Sequence, residues 1–280
     1  MDQTQLRTPD PYGRTFQMDE QALAAIAARL EARGKHPFFA RVIGDYMDAL
    51  GLSGPEAILD LGCGTGVAAR AIARRTEAKG PPIAAIDISA HLVELGRKLA
   101  GEEGLAGRVD FRVGDAHGLG LPEGGFDAVV MHTLISHVAD PATVLAEGRR
   151  LLRPGGRLVV FDGDYASFTM ATDAPDGGAG TDRVLHGALF AELRVMRAMP
   201  RLLAGGGFGL EWSRAYVMAD IGRAEFWGPT IASLRVLLPR AGAMPEAEAA
   251  TFADALERSS AEGRFFAASN FYTYIARRGG

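Results

Sequence analysis

The chain has 280 residues, a length that fits one α/β domain with insertions, and at 48% hydrophobic it can cover both faces of a sheet. Its net charge of −4, pI near 5.9 and lack of any Lys/Arg stripe argue against a nucleic-acid-binding face. One cysteine excludes an internal disulfide and suits a reducing cytoplasm, the polar start Met1-Asp2-Gln3-Thr4-Gln5 gives no signal peptide, and no apolar run approaches the ~20 residues that span a bilayer.

In chain order, residues 1–16 are polar, with Pro9, Pro11 and Gly13, and read as an arm able to fold over a ligand mouth. Two amphipathic helices follow, Met18 to Arg33 with Asp19 as its cap, and His36 to Leu50. The run Ile58-Leu59-Asp60-Leu61-Gly62-Cys63-Gly64-Thr65-Gly66 is a short buried strand ending in a turn with glycine at every second position. Glycine supplies the unusual φ/ψ values of such a turn and lets a ligand approach the backbone. Cys63 reads as a small residue fitting that turn rather than as a nucleophile. A helix spans Val67 to Arg75, and a second strand, Pro82 to Ile86, ends in Asp87 and Ile88. A carboxylate at that tip can accept from both hydroxyls of a ribose; Asp87 or Ser89 can also cap the next helix.

The third strand, Val109 to Val113, leads to Gly114-Asp115-Ala116, and the fourth, Phe126 to Met131, runs into His132-Thr133. A helix from Pro141 to Leu152 meets Arg153-Pro154-Gly155-Gly156, and a fifth strand covers Arg157 to Phe161. Beyond it the pattern predicts a loop over 171–182, one long helix from Arg183 to Leu203, a sixth strand from Gly207 to about Met218, a helical insert over about 220–263 and a last strand from Phe265 to Ala276.

The spacing G-x-G-x-G, with Asp60 two residues ahead, differs from the G-x-G-x-x-G of dinucleotide-binding turns. It resembles the first motif of the class I S-adenosylmethionine-dependent methyltransferases. Leu152-Arg153-Pro154-Gly155-Gly156-Arg157-Leu158 resembles the subgroup of that family that includes quinone-biosynthesis and small-molecule enzymes. The likeness is close over roughly 36–165. It implies a doubly wound, mostly parallel seven-stranded α/β sheet with N-terminal helices, an antiparallel pair of last strands at the sheet edge and a helical insert between them. It divides the chain into an arm and helices covering the cofactor mouth (1–50), a cofactor-binding core (51–165) and substrate-facing inserts with the last strands (166–280). It also implies S-adenosylmethionine as cofactor, with Asp60, Gly62, Cys63, Gly64, Gly66, Asp87, Ile88, Asp115, Ala116 and the backbone of His132 around it. Asp115 would then take the exocyclic amine of the adenine.

Methyl transfer from a sulfonium needs alignment above all, and a base only where the acceptor carries a proton. His132, His137, Asp162, Asp164 and Tyr165 follow the fourth and fifth strands, at the edge where ligands bind such sheets; His137, Asp162 and Tyr165 are the catalytic candidates. Each has a plainer reading, as a loop tie, a turn acid or a packing ring. Tyr12, Phe16, Tyr165, Phe226 and Trp227 are candidate walls of an apolar acceptor pocket. No His/Asp/Glu cluster has metal spacing. The position after the fourth strand reads Met131-His132-Thr133-Leu134, without the Asn/Asp-Pro-Pro-aromatic tetrapeptide of nucleic-acid amino-methyltransferases. A small organic acceptor follows, with O- or N-methylation of a natural product or other secondary metabolite favoured. The alternatives are a quinone C-methyltransferase, a nicotinamide-dependent oxidoreductase, and a cofactor-binding protein without methyl-transfer activity.

Overall fold

The computed structural model describes residues 20–52, 56–76, 80–189 and 192–280. The elements are α1 (Glu20–Lys35), α2 (Pro37–Leu50), β1 (Ile58–Leu61), α3 (Val67–Arg75), β2 (Ile83–Asp87), α4 (Ala90–Glu102), β3 (Val109–Val113), β4 (Phe126–His132), α5 (Pro141–Leu151), β5 (Leu152–Met170), α6 (Ala179–Leu189), α7 (Val195–Gly205), β6 (Phe208–Gly222), α8 (Gly228–Arg240), α9 (Glu246–Ala261) and β7 (Phe265–Arg278). They build one seven-stranded sheet in the order β3-β2-β1-β4-β5-β7-β6, the α/β architecture that the resemblance implies. The pairs β1–β2, β1–β4, β2–β3 and β4–β5 are parallel. The order reverses between β1 and β4, and at such a switch point ligands bind beyond the carboxyl ends of the strands.

Local chemistry explains the starts of α2, α4 and α5. Pro37 and Pro141 occupy first-turn positions of α2 and α5, where a missing N–H costs nothing. His36 Nδ1 accepts the Phe38 amide at 3.2 Å, Asp140 accepts the Ala142 and Thr143 amides at 3.0 and 3.1 Å, and the Ser89 hydroxyl accepts the Leu92 amide at 3.4 Å. Asp19, expected to cap α1, lies outside the described residues, as do Tyr12 and Phe16.

The chain divides into two compact units. The first comprises, of the described residues, 20–162, Val195–Arg214 and Tyr272–Gly280. Its core is the apolar strand run Leu59, Leu61, Val129, Met131, Leu158 and Val160, packed with Val144 and Leu145 of α5 and Met196, Met199 and Leu203 of α7. Strands buried on both faces read as continuous apolar runs, as these do. Arg278 closes α5 by donating to the carbonyls of Arg149 (3.0 Å) and Arg150 (3.3 Å).

The second unit comprises Gly163–Arg194 and Ala215–Phe271 of the described residues. Its helices α8 and α9 bury Ile231, Leu234, Leu238, Ala249, Ala253 and Leu256, and Arg235 bridges them by ion pairs to Asp254 and Glu257. No helix among the described residues is long and apolar enough to cross a membrane.

Three expectations are corrected. The helix predicted over 183–203 is two helices, α6 and α7; the Leu193 carbonyl between them accepts the Ala166 amide at 3.0 Å, so that stretch is spent on a tertiary bond. Helical spacing persists on both sides, and periodicity therefore conceals the break. Strand β5 begins at Leu152, not at Arg157: Phe126 pairs with Leu152 and Ala128 with Arg157, and the Arg-Pro-Gly-Gly segment bulges out between them with Gly155 at φ +76°. The same strand runs on to Met170, so Asp162, Asp164 and Tyr165 lie within it rather than after it.

Candidate functional site

The turn after β1 is built by backbone. Gly62, Gly64 and Gly66 have φ of +74°, +54° and +76°, a region that costs an L side chain roughly 1–2 kcal/mol. A Cβ on Gly62 would sit 2.5 Å from the Leu134 side chain, and one on Gly66 would sit 2.5 Å from the Phe111 ring. Gly64 differs, because only the tip of Leu30 comes near, at 3.0 Å. Two glycines are thus held by packing, and the middle one by conformation alone. Cys63 is buried, and burial pushes its thiol well above the ordinary range, so it is an uncharged small residue.

Two carboxylates bracket the turn. Asp60, 1% exposed at the end of β1, accepts the Ala69 amide at 3.0 Å through Oδ2 and thereby caps α3. Its Oδ1 is buried without a hydrogen-bond partner. Burial raises its pKa from the usual 3.8 to about 7; the Ala69 bond opposes the rise and the charge of Asp87 adds to it. Asp87 accepts the Gly64 amide at 2.8 Å and the Ser89 amide at 2.9 Å, one on each oxygen. Burial raises its pKa too, against those two bonds. Asp87 therefore holds the turn as well as the tip of β2, while Ser89 caps α4. A carboxylate has about four acceptor positions, so each Asp87 oxygen retains one for a hydroxyl. Ile88, between them, is half-buried.

Beyond β3, Asp115 is exposed and accepts the His117 amide at 2.9 Å and pairs with His117 Nδ1 at 2.7 Å, the loop-acid geometry. These bonds hold its carboxyl below the usual range. Ala116 beside it is buried.

At the end of β4, the His132 ring lies 4.7 Å from Phe161, 5.9 Å from Phe39 and 6.1 Å from Tyr46, and its Nδ1 is 3.4 Å from the Tyr46 hydroxyl. Burial and the positive charge of Arg33 push its pKa down to about 3, so the imidazole is neutral at physiological pH. Thr133, next in the chain, has φ +56°, the one non-glycine with positive φ among the described residues, and its amide donates to the Phe161 carbonyl at 2.7 Å. A β-branched residue there carries strain, and strain of this kind concentrates at functional sites. Nothing in the residue pattern signals it.

The catalytic candidates fall in both units. Asp162 is fully buried and accepts the Ser136 amide at 3.0 Å, tying β5 to the loop after β4. His137 is half-buried in that loop, its amide donating to the Leu134 carbonyl at 2.9 Å. Tyr165 belongs to the other unit, buried with its ring folded over Gly163, where a Cβ would meet it at 2.9 Å. Asp164 is buried, and its carbonyl accepts the Ser167 hydroxyl at 2.6 Å. Trp227 is buried too, 4.7 Å from both Phe168 and Phe226, the packing role rather than that of an open wall.

This geometry coincides with a family match: residues 59–160 fit the Methyltransferase domain family. Over those residues the chain is similar to methyltransferase domains of the class I S-adenosylmethionine-dependent kind. An uncharacterised 37.1 kDa protein in transposon Tn4556 of Streptomyces fradiae is 32% identical to it over 241 residues, 82% of this chain and 65% of the relative. The ubiquinone/menaquinone biosynthesis C-methyltransferase UbiE of Methylobacterium nodulans is 34% identical over 154 residues, 54% of each chain. The chain covers less than two thirds of either relative's length. Among solved structures, the methyltransferase domain and its inserts resemble the cyclase SpnF, with a TM-score of 0.57 at 24% identity over 86% of this chain and 81% of that one. That likeness is one of fold.

Proposed function

We propose that the protein transfers a methyl group from S-adenosylmethionine to a small organic acceptor. The observation that carries this reading is the charge around the turn. The Ala69 amide in the first turn of α3 is already answered by an internal anion, Asp60, and the Gly64 amide is given to Asp87. A pyrophosphate would need those amides free and would face two carboxylates, so the nicotinamide reading is disfavoured. A cation suits the same place, because the buried, unpartnered Asp60 Oδ1 gains from a positive charge nearby.

In this reading Asp87 receives the ribose hydroxyls on its two remaining acceptor positions. Gly62, Gly64 and Gly66, with Cys63 between them, let the ligand approach the backbone, and Ile88 flanks it. Asp115 and the Ala116 amide meet the adenine edge, and the backbone around His132 and Thr133 meets the amino-acid end. The bound cofactor supplies a methyl group on a sulfonium, which needs no acid to leave. The chain's own contribution is to hold the acceptor in line and keep water out. Alignment is proposed as the main source of rate, with His137, Asp162 and Tyr165 the candidates for a base where the acceptor carries a proton. The acceptor is proposed to be a natural product or other secondary metabolite methylated on oxygen or nitrogen; UbiE keeps a quinone carbon in view.

The test has two arms. Calorimetry with S-adenosylmethionine, S-adenosylhomocysteine, NAD and NADP should show binding of the first pair only. Turnover against phenols, amines and quinones should then give methylated product, identified by mass. Binding of NAD instead would overturn the cofactor. Binding of S-adenosylhomocysteine without product from any acceptor class would favour a cofactor-binding protein of different chemistry.

A further inference from the structure

A second network meets the glycine turn from α1. The Thr65 hydroxyl, fully buried, donates to Glu31 Oε1 at 2.5 Å, and the Arg70 guanidinium donates to the same oxygen at 2.5 Å. Arg70 is 3% exposed, and its other terminal nitrogen pairs with Glu103 at the end of α4. A buried guanidinium needs such partners, because an unpaired charge in the interior is costly. Around this link α1 lies close: a Cβ on Gly34 would meet Val67, the first residue of α3, at 2.4 Å, and Leu30 reaches Gly64. Ile26 and Ala27 pack with Leu92 of α4, beside Leu30 and Leu95.

Resting on the cofactor reading above, we propose that Glu31 is a positioning residue. Its carboxylate couples the docking of α1 to the conformation of the Gly62–Gly66 turn, so that the cofactor binds tightly only when α1 is seated. Thr65 lies between Gly64 and Gly66, both at positive φ, and its hydroxyl has one acceptor, Glu31. Arg70 lies one residue beyond Ala69, whose amide Asp60 holds. Glu31 thus grips both sides of the turn–helix junction. Coupling works in both directions: a ligand that orders the turn must also hold α1 down.

The experiment uses the whole chain and two readouts. Thr65→Val removes the hydroxyl and keeps the shape; Thr65→Ser restores it. Without ligand, hydrogen exchange of the α1 amides should be about tenfold faster in Thr65→Val, with β4 amides unchanged. At a temperature where both proteins are fully folded, S-adenosylhomocysteine should bind about five- to tenfold more weakly to Thr65→Val and normally to Thr65→Ser. A merely structural bond would lower the melting temperature and leave the affinity of the folded protein alone. Should Thr65→Val fail to fold, Glu31→Gln serves in its place, with the same expected direction. Unchanged α1 exchange, or a wild-type affinity in the folded variant, overturns the proposal. If the wild type itself binds no S-adenosylhomocysteine, the cofactor reading fails, and the α1 exchange of Thr65→Val still decides whether the link exists.

Discussion

The turn between β1 and α3 and the insert between β6 and β7 both drew attention as sequence, yet the structure uses their marked residues differently. In the turn, Gly62, Gly64 and Gly66 adopt positive φ, and two acids face inward, one with an oxygen left unpaired. In the insert, Trp227 and its neighbour Phe226 are spent on each other and on Phe168. A site made by backbone conformation keeps its signature whatever packs around it. A site made by side chains can be claimed by the core, because aromatic rings gain as much from burial as from lining a pocket.

The difference makes predictions that can break it. The largest effect belongs to Trp227→Ala, which should cost about 3–5 kcal/mol of stability, as large-to-small changes in a packed core do. Its affinity for S-adenosylhomocysteine, measured on folded protein, should stay within about twofold of wild type. A tenfold loss would return Trp227 to the ligand and erase the contrast. Next comes Gly66→Ala, which meets the Phe111 ring and a forbidden φ together, about 2–4 kcal/mol by thermal unfolding. Gly64→Ala meets the φ and only the flexible tip of Leu30, about 1–2 kcal/mol, and should lose binding out of proportion to stability. Equal losses of binding at the two positions would mean that the middle glycine has no ligand role.

A smaller effect is read through pH. Asp60 holds its proton to about pH 7 in the folded chain but only to its usual 3.8 when unfolded. The folded state therefore keeps its full advantage below pH 4 and loses part of it as pH rises through about 7. Asp60→Asn should flatten that slope in ligand-free melting curves. A sulfonium favours the ionised carboxylate, so S-adenosylmethionine should gain affinity over S-adenosylhomocysteine as pH rises from 6 to 8. A ratio that ignores pH would remove Asp60 from contact with the charge.

What could be read from the residues follows the same division. Strands β1 to β4 and helices α2, α3 and α5 are legible within a residue or two, because caps such as Asp140 and Pro141 and the glycine punctuation act locally. The split between α6 and α7 was hidden, since it depends on a bond from Leu193 to a distant strand. The extension of β5 past Phe161 was hidden for the same reason, and with it the burial of Asp162 and Asp164 inside a strand. Thr133 gives no warning of its φ, and Glu31 is one acid among many on an exposed-looking helix. Asp87 was legible as a candidate ribose acceptor; that it also holds the Gly64 amide was not.

The central claim is that the nucleoside cofactor occupies the turn and that Asp87 meets its ribose. Titration of S-adenosylhomocysteine into the wild type and Asp87→Ala by calorimetry tests it most directly. The account predicts clear binding to the wild type and ten- to hundred-fold weaker binding to the variant, about 1.5–3 kcal/mol for charge-assisted hydrogen bonds. Equal affinity in the two proteins, with the variant folded, would contradict it.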